Sequence, residues 1–420
     1  MKRTIRTSFL IAAAAIVGIE FGCSNSVSPN KDVSDLNLSQ TEKAVISASG
    51  SFAFGLFGKM AEQAQGRNFF MSPLSVSMAL AMTINGASGR TYTDMQTTLG
   101  LSGLSVDEIN QSYRNIRSLF ANLDPNVRFT IANSIWYRNT FSIAGSFVNV
   151  NKEYFDAEVR PLNFDDPGAV DIVNSWINLK TNEKIPKVLD PPIDPGVMMY
   201  LINALYFNGT WKYQFDQSAT KPLPFYLADG TEKDVPTMTV HDTLKYYGDN
   251  NVSVVELPYG NGDYSMWILL PSAASSLSDL TTNLTSVVYQ TIMDGLRDRD
   301  VQVQLPKFKI TYDTLLNDPL KSLGMGIAFD PNLADFSRME EGVSQGRLYI
   351  SRVIHSTYID VNEIGTEAAA VTVVEVFRTS DQVGGGGPIF FKANRPFVFL
   401  IKENHANTIM FMGVVADPGV

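Results

Sequence analysis

Cysteine is almost absent from this sequence, since Cys23 is the only one among 420 residues. A single thiol excludes a disulfide within the chain, so packing must stabilise the fold. Histidine is nearly as scarce, with three in all: His241, His355 and His405. No cluster of histidine, cysteine and acidic residues has the spacing of a metal site. The sequence therefore predicts a fold that needs neither a metal nor a cofactor.

The short motifs of common catalytic and nucleotide-binding centres are also missing. The sequence contains no HExxH, GxxxxGK[ST] or CxxC, and its GxSxG match at 342–346 (GVSQG) follows a polar stretch and not the apolar strand of a nucleophile elbow. The glycine run 384–387 lacks the helix and the basic residue of a phosphate-binding loop, and is more typical of a flexible spacer. His241 and His405 have polar neighbours, which predicts surface positions for both. These absences argue against an enzyme, although motif counting alone does not decide about a triad assembled from distant residues.

Positive charge is too scattered for a polyanion-binding site. The formal net charge is -10, and Lys and Arg form no dense cluster. An acidic surface repels nucleic acid and heparin-like chains, so we expect neither as a partner. The 45% hydrophobic content over this length suffices for one large core or for two domains. Because no linker rich in Pro, Gly and Ser divides the body, we predict a single domain at 43–420.

The N-terminal residues 1–23 have the pattern of a signal peptide. The basic residues that open it are Lys2, Arg3 and Arg6. The apolar segment 9–19 follows, and it is too short to span a bilayer well. A small residue before Cys23 resembles a bacterial lipoprotein signal, in which that cysteine is lipidated, although Glu20 departs from the pattern. We expect an exported protein, either a cell-envelope lipoprotein or extracellular, with a flexible polar tether at 24–42.

Apolar periodicity predicts helices mainly in the first half of the chain and strands through the second. The predicted helices are 43–65, 73–86, 106–123 and 170–184. The predicted strands are 127–138, 198–207, 252–258, 264–271, 301–310, 397–402 and 408–415. Ser72 followed by Pro73 is a strong helix start, because Ser caps the first turn and Pro fits the first helical position. This order indicates an α+β fold with antiparallel or mixed sheets.

The segment 363–376, with the sequence EIGTEAAAVTVVEV, has the pattern of a strand that can enter a sheet. From Thr366 onward, alternate residues are small or β-branched, so one face of such a strand carries no charge. The polar residues 378–382 and the glycine run 384–387 follow, as in an exposed loop. One interpretation is an edge strand followed by a loop, and the other is a segment that moves from a loop into a sheet.

Five separated segments and a short motif resemble one protein family. They are 68–80 (NFFMSPLSVSMAL), 201–211 (LINALYFNGTW), 334–339 (ADFSRM), 363–370 (EIGTEAAA) and 395–400 (RPFVFL), with FMG at 411–413. In this order and spacing they resemble the serpins, the metastable protease inhibitors, over 45–418. The resemblance implies an α+β serpin fold with three β-sheets, about nine helices and an exposed reactive-centre loop at about 365–389.

The resemblance also implies a mechanism, namely suicide inhibition of serine endopeptidases. The target protease cuts the loop, and the cut loop inserts into the main sheet and traps the acyl-enzyme. The hinge residues of this loop are Glu363, Gly365, Thr366, Glu367, Ala368, Ala369 and Ala370. Small residues enter a sheet at low steric cost, and this hinge has the pattern of inhibitory serpins. The alternative is a non-inhibitory serpin acting as a binding or chaperone-like protein.

Other positions correspond to the family's sites of sheet opening. Ser72, Ser75, Asn203 and His355 match the shutter cluster, where the main sheet parts. Trp211 matches the breach, the top of the sheet where insertion begins, and Lys307 is expected to pair with Glu363. The alternatives are a satisfied core histidine without a switching role, plain packing of the tryptophan, and an unrelated surface position for the lysine.

Family spacing places the scissile bond between Thr379 and Ser380. Thr379 suits elastase-like or subtilisin-like proteases, whereas cleavage one residue earlier, after Arg378, suits trypsin-like proteases through a carboxylate in their primary pocket. Phe377 suits a chymotrypsin-like enzyme, and papain-type cysteine proteases are further candidate targets. We expect a monomer whose partner is the protease and whose contact with a membrane is made only through a lipid anchor.

Overall fold

The computed structural model describes residues 36–342, 348–366 and 387–419. These ranges contain nine α-helices and fifteen strands. The helices are α1 (Gln40–Ala64), α2 (Pro73–Ile84), α3 (Gly89–Thr98), α4 (Val106–Ala121), α5 (Gly145–Phe155), α6 (Ala169–Lys180), α7 (Leu277–Asn283), α8 (Ser286–Gly295) and α9 (Asn317–Leu320). The strands are β1 (Phe69–Met71), β2 (Val127–Arg138), β3 (Glu158–Leu162), β4 (Met199–Thr210), β5 (Lys221–Tyr226), β6 (Glu232–Gly248), β7 (Val252–Tyr259), β8 (Tyr264–Pro271), β9 (Arg297–Pro306), β10 (Phe308–Leu315), β11 (Arg352–Val361), β12 (Gly365–Thr366), β13 (Ile389–Lys392), β14 (Phe397–Glu403) and β15 (Ile409–Val415).

The strands form three sheets, two of which share one long strand. The main sheet has the order β10-β11-β12-β4-β2-β3. The 17-residue strand β6 pairs with β5 and β9 over most of its length and with β7 only near its end, from Tyr246 to Gly248. It thereby joins the sheet of β5, β9 and β13 to the sheet of β7, β8, β14, β15 and β1. The predicted α+β fold with three sheets and about nine helices is confirmed.

Helix α1 begins with a capping box. The Ser39 hydroxyl accepts from the Glu42 amide at 3.1 Å, and the Glu42 carboxylate accepts from the Ser39 amide at 2.7 Å. Because these bonds satisfy amides of the first turn, the helix starts at Gln40, and the predicted tether boundary at residue 42 lies too far along the chain. Among the described residues, α1 is the one helix long and apolar enough to cross a membrane, but Leu56 and Phe57 are buried in the core.

Helix α2 starts where the sequence predicted. The Ser72 hydroxyl accepts from the Ser75 amide at 3.3 Å, and Pro73 occupies the first turn. All twelve residues of the helix are buried, because α2 lies in the core against β2, β4 and β15. A helix that is apolar on every side is typical of such a position.

Helix α6 covers the face of the main sheet that points away from the central core. Val173 and Ile177 of α6 share a buried cluster with Trp136 of β2, Tyr200 of β4 and Tyr358 of β11. The cluster covers this face of the sheet from β2 to β11, and α6 itself packs against β2.

The prediction of one strand at 301–310 is wrong. Strand β9 ends at Pro306, whereas β10 begins at Phe308 in the main sheet. Pro306 has no amide hydrogen to extend the ladder, and the Lys307 amide instead donates to the Pro236 carbonyl at 2.9 Å. The apolar alternation continues from β9 into β10, so the sequence pattern does not reveal the break between the two strands.

The two histidines expected at the surface differ in their burial. His241 is 49% exposed and its Nε2 lies 2.6 Å from the Asp300 carboxylate, as expected of a surface residue. The side chain of His405 is only 8% exposed, and its Nε2 lies 2.6 Å from Asp263. The surface prediction for His405 is wrong, because the turn that contains Asp263 packs against the polar turn that contains His405.

Candidate functional site

The main sheet contains a junction that is paired along part of its length and filled by a third strand at one end. Strands β4 and β11 run parallel, with Arg352 opposite Tyr200 and Ser356 opposite Ala204. Beyond this region they separate, and β12 lies between them, antiparallel to both. Thr366 is opposite Val361 on one side and Gly209 on the other. The structure thus places the first hinge residues inside the sheet.

The entry point of β12 depends on glycine. A Cβ atom at Gly365 would clash with the carbonyl oxygen of Gly209 and lie 2.8 Å from Cα of Thr210. Both obstacles are backbone atoms of β4, which no change of rotamer can move aside. Glycine therefore allows the chain to approach β4 closely enough to turn into the junction.

Thr366 is buried beside the side chain of Tyr259 at the top of the junction. It is 1% exposed, and its hydroxyl lies 2.5 Å from the hydroxyl of Tyr259. Burial raises the pKa of the Tyr259 hydroxyl, which stays protonated. The ring of Tyr259 stacks on Trp211, with centroids 4.4 Å apart and an angle of 12°. The predicted breach tryptophan therefore contacts the hinge through Tyr259.

The segment before β12 is held by the chain that follows β4. The Trp211 indole donates to the carbonyl of Asn362 at 2.8 Å, and the Trp211 amide donates to the carbonyl of Ile364 at 2.9 Å. The Phe215 amide donates to the carbonyl of Glu363 at 3.0 Å. These bonds hold residues 362–364 in place, so they fix the direction in which Gly365 and Thr366 enter the sheet.

Glu363 forms the predicted pair with Lys307. The Lys307 ammonium lies 3.0 Å from the Glu363 carboxylate, and the Thr220 hydroxyl donates to the other carboxylate oxygen at 2.9 Å. Burial raises the pKa of Glu363, but the hydrogen bonds from Lys307 and Thr220 outweigh this effect and hold the pKa below its ordinary value. The carboxylate is therefore charged and ties the base of the hinge to the start of β10.

We expect Glu363→Gln to destabilise the native state by about 1–2 kcal/mol, because the neutral amide loses the attraction of Lys307 in a site that is 6% exposed. Faster loss of native protein at raised temperature would report this change. Glu62→Gln is the matched control, since Glu62 pairs with Lys59 at 2.9 Å but is 68% exposed. Equal inactivation rates for the two variants would contradict the structural importance of the Glu363 pair.

The shutter residues meet beneath the paired part of the junction. His355 of β11 is fully buried. Its Nε2 accepts from the backbone amide of Ser72 at 3.0 Å, and its Nδ1 lies 3.1 Å from the side-chain Oδ1 of Asn203. An acceptor at Nε2 and a donor at Nδ1 define a neutral tautomer. Burial lowers the pKa of His355 to about 3. The ring therefore links α2, β4 and β11 without carrying a charge.

Asn203 extends this cluster across the main sheet. Its side-chain Nδ2 donates to the backbone carbonyl of Ser75 at 3.1 Å, to the Ser75 hydroxyl, and to the side-chain Oδ1 of Asn133 in β2 at 2.7 Å. The contacts join three adjacent strands and the start of α2 through a buried network of polar groups.

Part of the predicted site lies outside the described residues. This part comprises Glu367, Ala368, Ala369, Ala370, Phe377, Arg378, Thr379, Ser380 and Cys23. The sequence prediction also overlooked three contact residues: Gly209, Tyr259 and Asn133. Gly209 falls inside the family-like segment 201–211, and its glycine within an apolar strand was a signal of close backbone approach. Tyr259 and Asn133 carried no local signal.

Comparison with known proteins agrees with this geometry. The Serpin (serine protease inhibitor) family profile matches residues 47–418. Iripin-2 of Ixodes ricinus is 34% identical over 382 residues, covering 90% of this chain and 94% of the relative. The native structure of tengpin, a thermophilic serpin, is 32% identical with a TM-score of 0.80, covering 91% and 95% of the two chains. Human thyroxine-binding globulin is 26% identical with a TM-score of 0.82, covering 90% and 99%. The chain therefore belongs to the serpin family.

Proposed function

We propose that this serpin is an inhibitor that traps serine endopeptidases by inserting its cleaved loop into the main sheet. The observation that carries the proposal is the position of β12. Gly365 and Thr366 already pair with β4 and β11 in the antiparallel orientation that a complete inserted strand would have. In this proposal the protein inhibits proteases and is not itself an enzyme.

The driving force follows from the pairing on either side of the junction. Strands β4 and β11 are parallel neighbours, and an inserted strand would replace this contact with two antiparallel ladders. Each additional hydrogen bond contributes about 1 kcal/mol, and burial of the apolar residues at 374 and 376, which would share a face with Thr366, adds to it. The native state is then held by a kinetic barrier above a more stable inserted state.

The chemical step uses the nucleophile of the target protease. Its serine attacks the carbonyl carbon of the scissile bond, the leaving amine takes a proton from the protease, and an acyl-enzyme remains on the loop. Insertion then competes with attack by water on the same acyl group. The small residues Ala368, Ala369 and Ala370 favour insertion, because little side-chain volume has to pass between the strands.

The shutter cluster has a defined task in this scheme. A strand that enters between β4 and β11 must separate His355 from Asn203, which lie 3.1 Å apart across the junction. Both groups are neutral, so their separation does not strand a charge in the core. We assign Ser72, Ser75, Asn203 and His355 the role of a polar latch that opens during insertion.

The loop composition supports two registers of cleavage. Cleavage between Thr379 and Ser380 fits elastase-like and subtilisin-like proteases, and cleavage after Arg378 fits trypsin-like proteases. Papain-type cysteine proteases also form an acyl-enzyme that insertion could trap. We further propose that the protein is a bacterial, exported monomer, either lipid-anchored through Cys23 or extracellular.

A non-inhibitory binding protein is the second candidate. The similarity to human thyroxine-binding globulin, solved in complex with its hormone, supports keeping this possibility. The uncharged hinge at Thr366 and the three alanines after Glu367 favour inhibition, because nothing in them opposes insertion. Formation of a covalent complex separates the two functions.

The test is to mix the protein lacking residues 1–23 with trypsin, an elastase, chymotrypsin, subtilisin and papain. We expect a complex that resists denaturant with at least one protease, together with a released C-terminal peptide starting at Ser380 or Thr379 by intact mass. Arg378→Ala should abolish the complex with trypsin but spare that with subtilisin if both registers are used. Cleavage without a complex, and without a rise in thermal stability afterwards, would contradict the inhibitory function.

A further inference from the structure

Tyr259 is fixed in place from three sides. Its ring stacks on Trp211 and lies edge-on to Phe207, with centroids 4.4 and 5.2 Å apart. On the backbone, the Lys212 amide donates to the carbonyl of Pro258 at 2.9 Å, and Tyr259 forms a β-bridge with Trp211. The phenol therefore cannot turn away without disturbing both β4 and β7.

The hydroxyl of Tyr259 points at the side chain of Thr366. Tyr259 is 0% exposed and Thr366 is 1% exposed, and their hydroxyls are 2.5 Å apart. A buried hydroxyl that loses its partner is costly, whereas removing both partners is nearly neutral. Release of Thr366 from the sheet would therefore leave the Tyr259 hydroxyl without this bond in an apolar site.

We propose that Tyr259 is a positioning residue that holds Thr366 in the main sheet before any protease arrives. The seated residue gives insertion a starting point, because the strands on either side are already apart at Val361 and Gly209. This inference rests on the proposed inhibitory function for its consequence, but the seating of Thr366 is a property of the uncleaved protein.

The consequence concerns the competition between insertion and hydrolysis. With Thr366 seated, insertion continues from residue 367 as soon as the loop is cut. If the hinge had to enter the sheet first, the extra step would favour hydrolysis of the acyl-enzyme. Tyr259 thus lowers the number of inhibitor molecules consumed for each protease molecule trapped.

The seating is tested in the uncleaved protein by hydrogen exchange at Gly365 and Thr366. Tyr259→Phe and Thr366→Val should each accelerate exchange about tenfold, since each leaves one hydroxyl unpaired. The double variant should exchange within about threefold of the wild type, because both hydroxyls are gone. Tyr289→Phe is the control, since it removes the bond from the buried Tyr289 hydroxyl of α8 to the carbonyl of Asn407, and its ring packs on Phe54 and Trp267.

The stoichiometry of inhibition tests the functional consequence. Tyr259→Phe should raise the ratio of inhibitor to trapped protease about threefold or more, and Tyr289→Phe should leave it unchanged. A wild type that forms no complex would refute the proposed function, but the exchange measurements would still decide whether Tyr259 seats the hinge. Unchanged exchange in Tyr259→Phe, or a double variant as fast as the two single changes combined, would overturn the inference.

Discussion

Replacing Thr366 with arginine should convert the proposed inhibitor into a substrate. Thr366 is 1% exposed between β4 and β11, so an arginine there would place an unpaired charge inside the sheet. The charge would stop insertion at its first step, and hydrolysis of the acyl-enzyme would win. We expect the yield of covalent complex to fall at least about tenfold, a difference of about 1.4 kcal/mol or more between the two competing barriers.

Denaturing gels and intact mass measure this change directly. The loop of Thr366→Arg should still be cut at the wild-type bond, since the substitution lies thirteen residues before Thr379 in the sequence. Thr366→Ser is the matched control, because it keeps the hydroxyl that faces Tyr259 and should retain inhibition. A wild-type yield of complex from the arginine variant would show that trapping does not need entry at Thr366.

Acid should weaken the native state through His355. Burial lowers the pKa of His355 from 6.5 to about 3, so the folded protein binds this proton less readily than the unfolded chain. The contribution of neutral His355 to the free energy of unfolding is fully present above pH 6.5. It is lost as the pH falls toward about 3, by about 1.4 kcal/mol for each pH unit within that window. Between neutral pH and about pH 4.5 the loss amounts to about 2–3 kcal/mol.

Urea unfolding at about pH 7 and about pH 4.5 isolates this contribution when a variant without the ring is measured alongside. His355→Gln is expected to be the less stable protein at neutral pH, because Gln cannot reproduce both bonds to Ser72 and Asn203. Its disadvantage relative to the wild type should shrink by about 2–3 kcal/mol in acid. His241→Gln, at a 49% exposed position, is the control and should follow the wild type. If the free energy of unfolding fell equally with pH in the wild type and in His355→Gln, His355 would be excluded as the source of the acid sensitivity.

Local patterns predicted elements whose cause is local. Ser72 and Pro73 predicted the start of α2, and the apolar run that forms β4 predicted a buried strand. The context of Lys307, between Pro306 and Phe308, supplied its pairing with Glu363 through the family resemblance, and the structure places the two groups 3.0 Å apart. Ser72, Ser75, Asn203 and His355, which are separated widely in the chain, were grouped in the same way and do meet.

The sequence by itself determined helices α1, α2, α4 and α6, strands β2, β4, β7, β8, β14 and β15, and the lack of a possible disulfide within the chain, because these follow from residue type and short-range periodicity. Only the tertiary structure decided which groups meet across the sheets. The break between Pro306 and Phe308, the burial of His405 by Asp263 and the contact of Tyr259 with Thr366 all arise from packing between distant segments. Periodicity tells which face of a strand is buried, but the partner that covers it is set by long-range packing, which no local window contains.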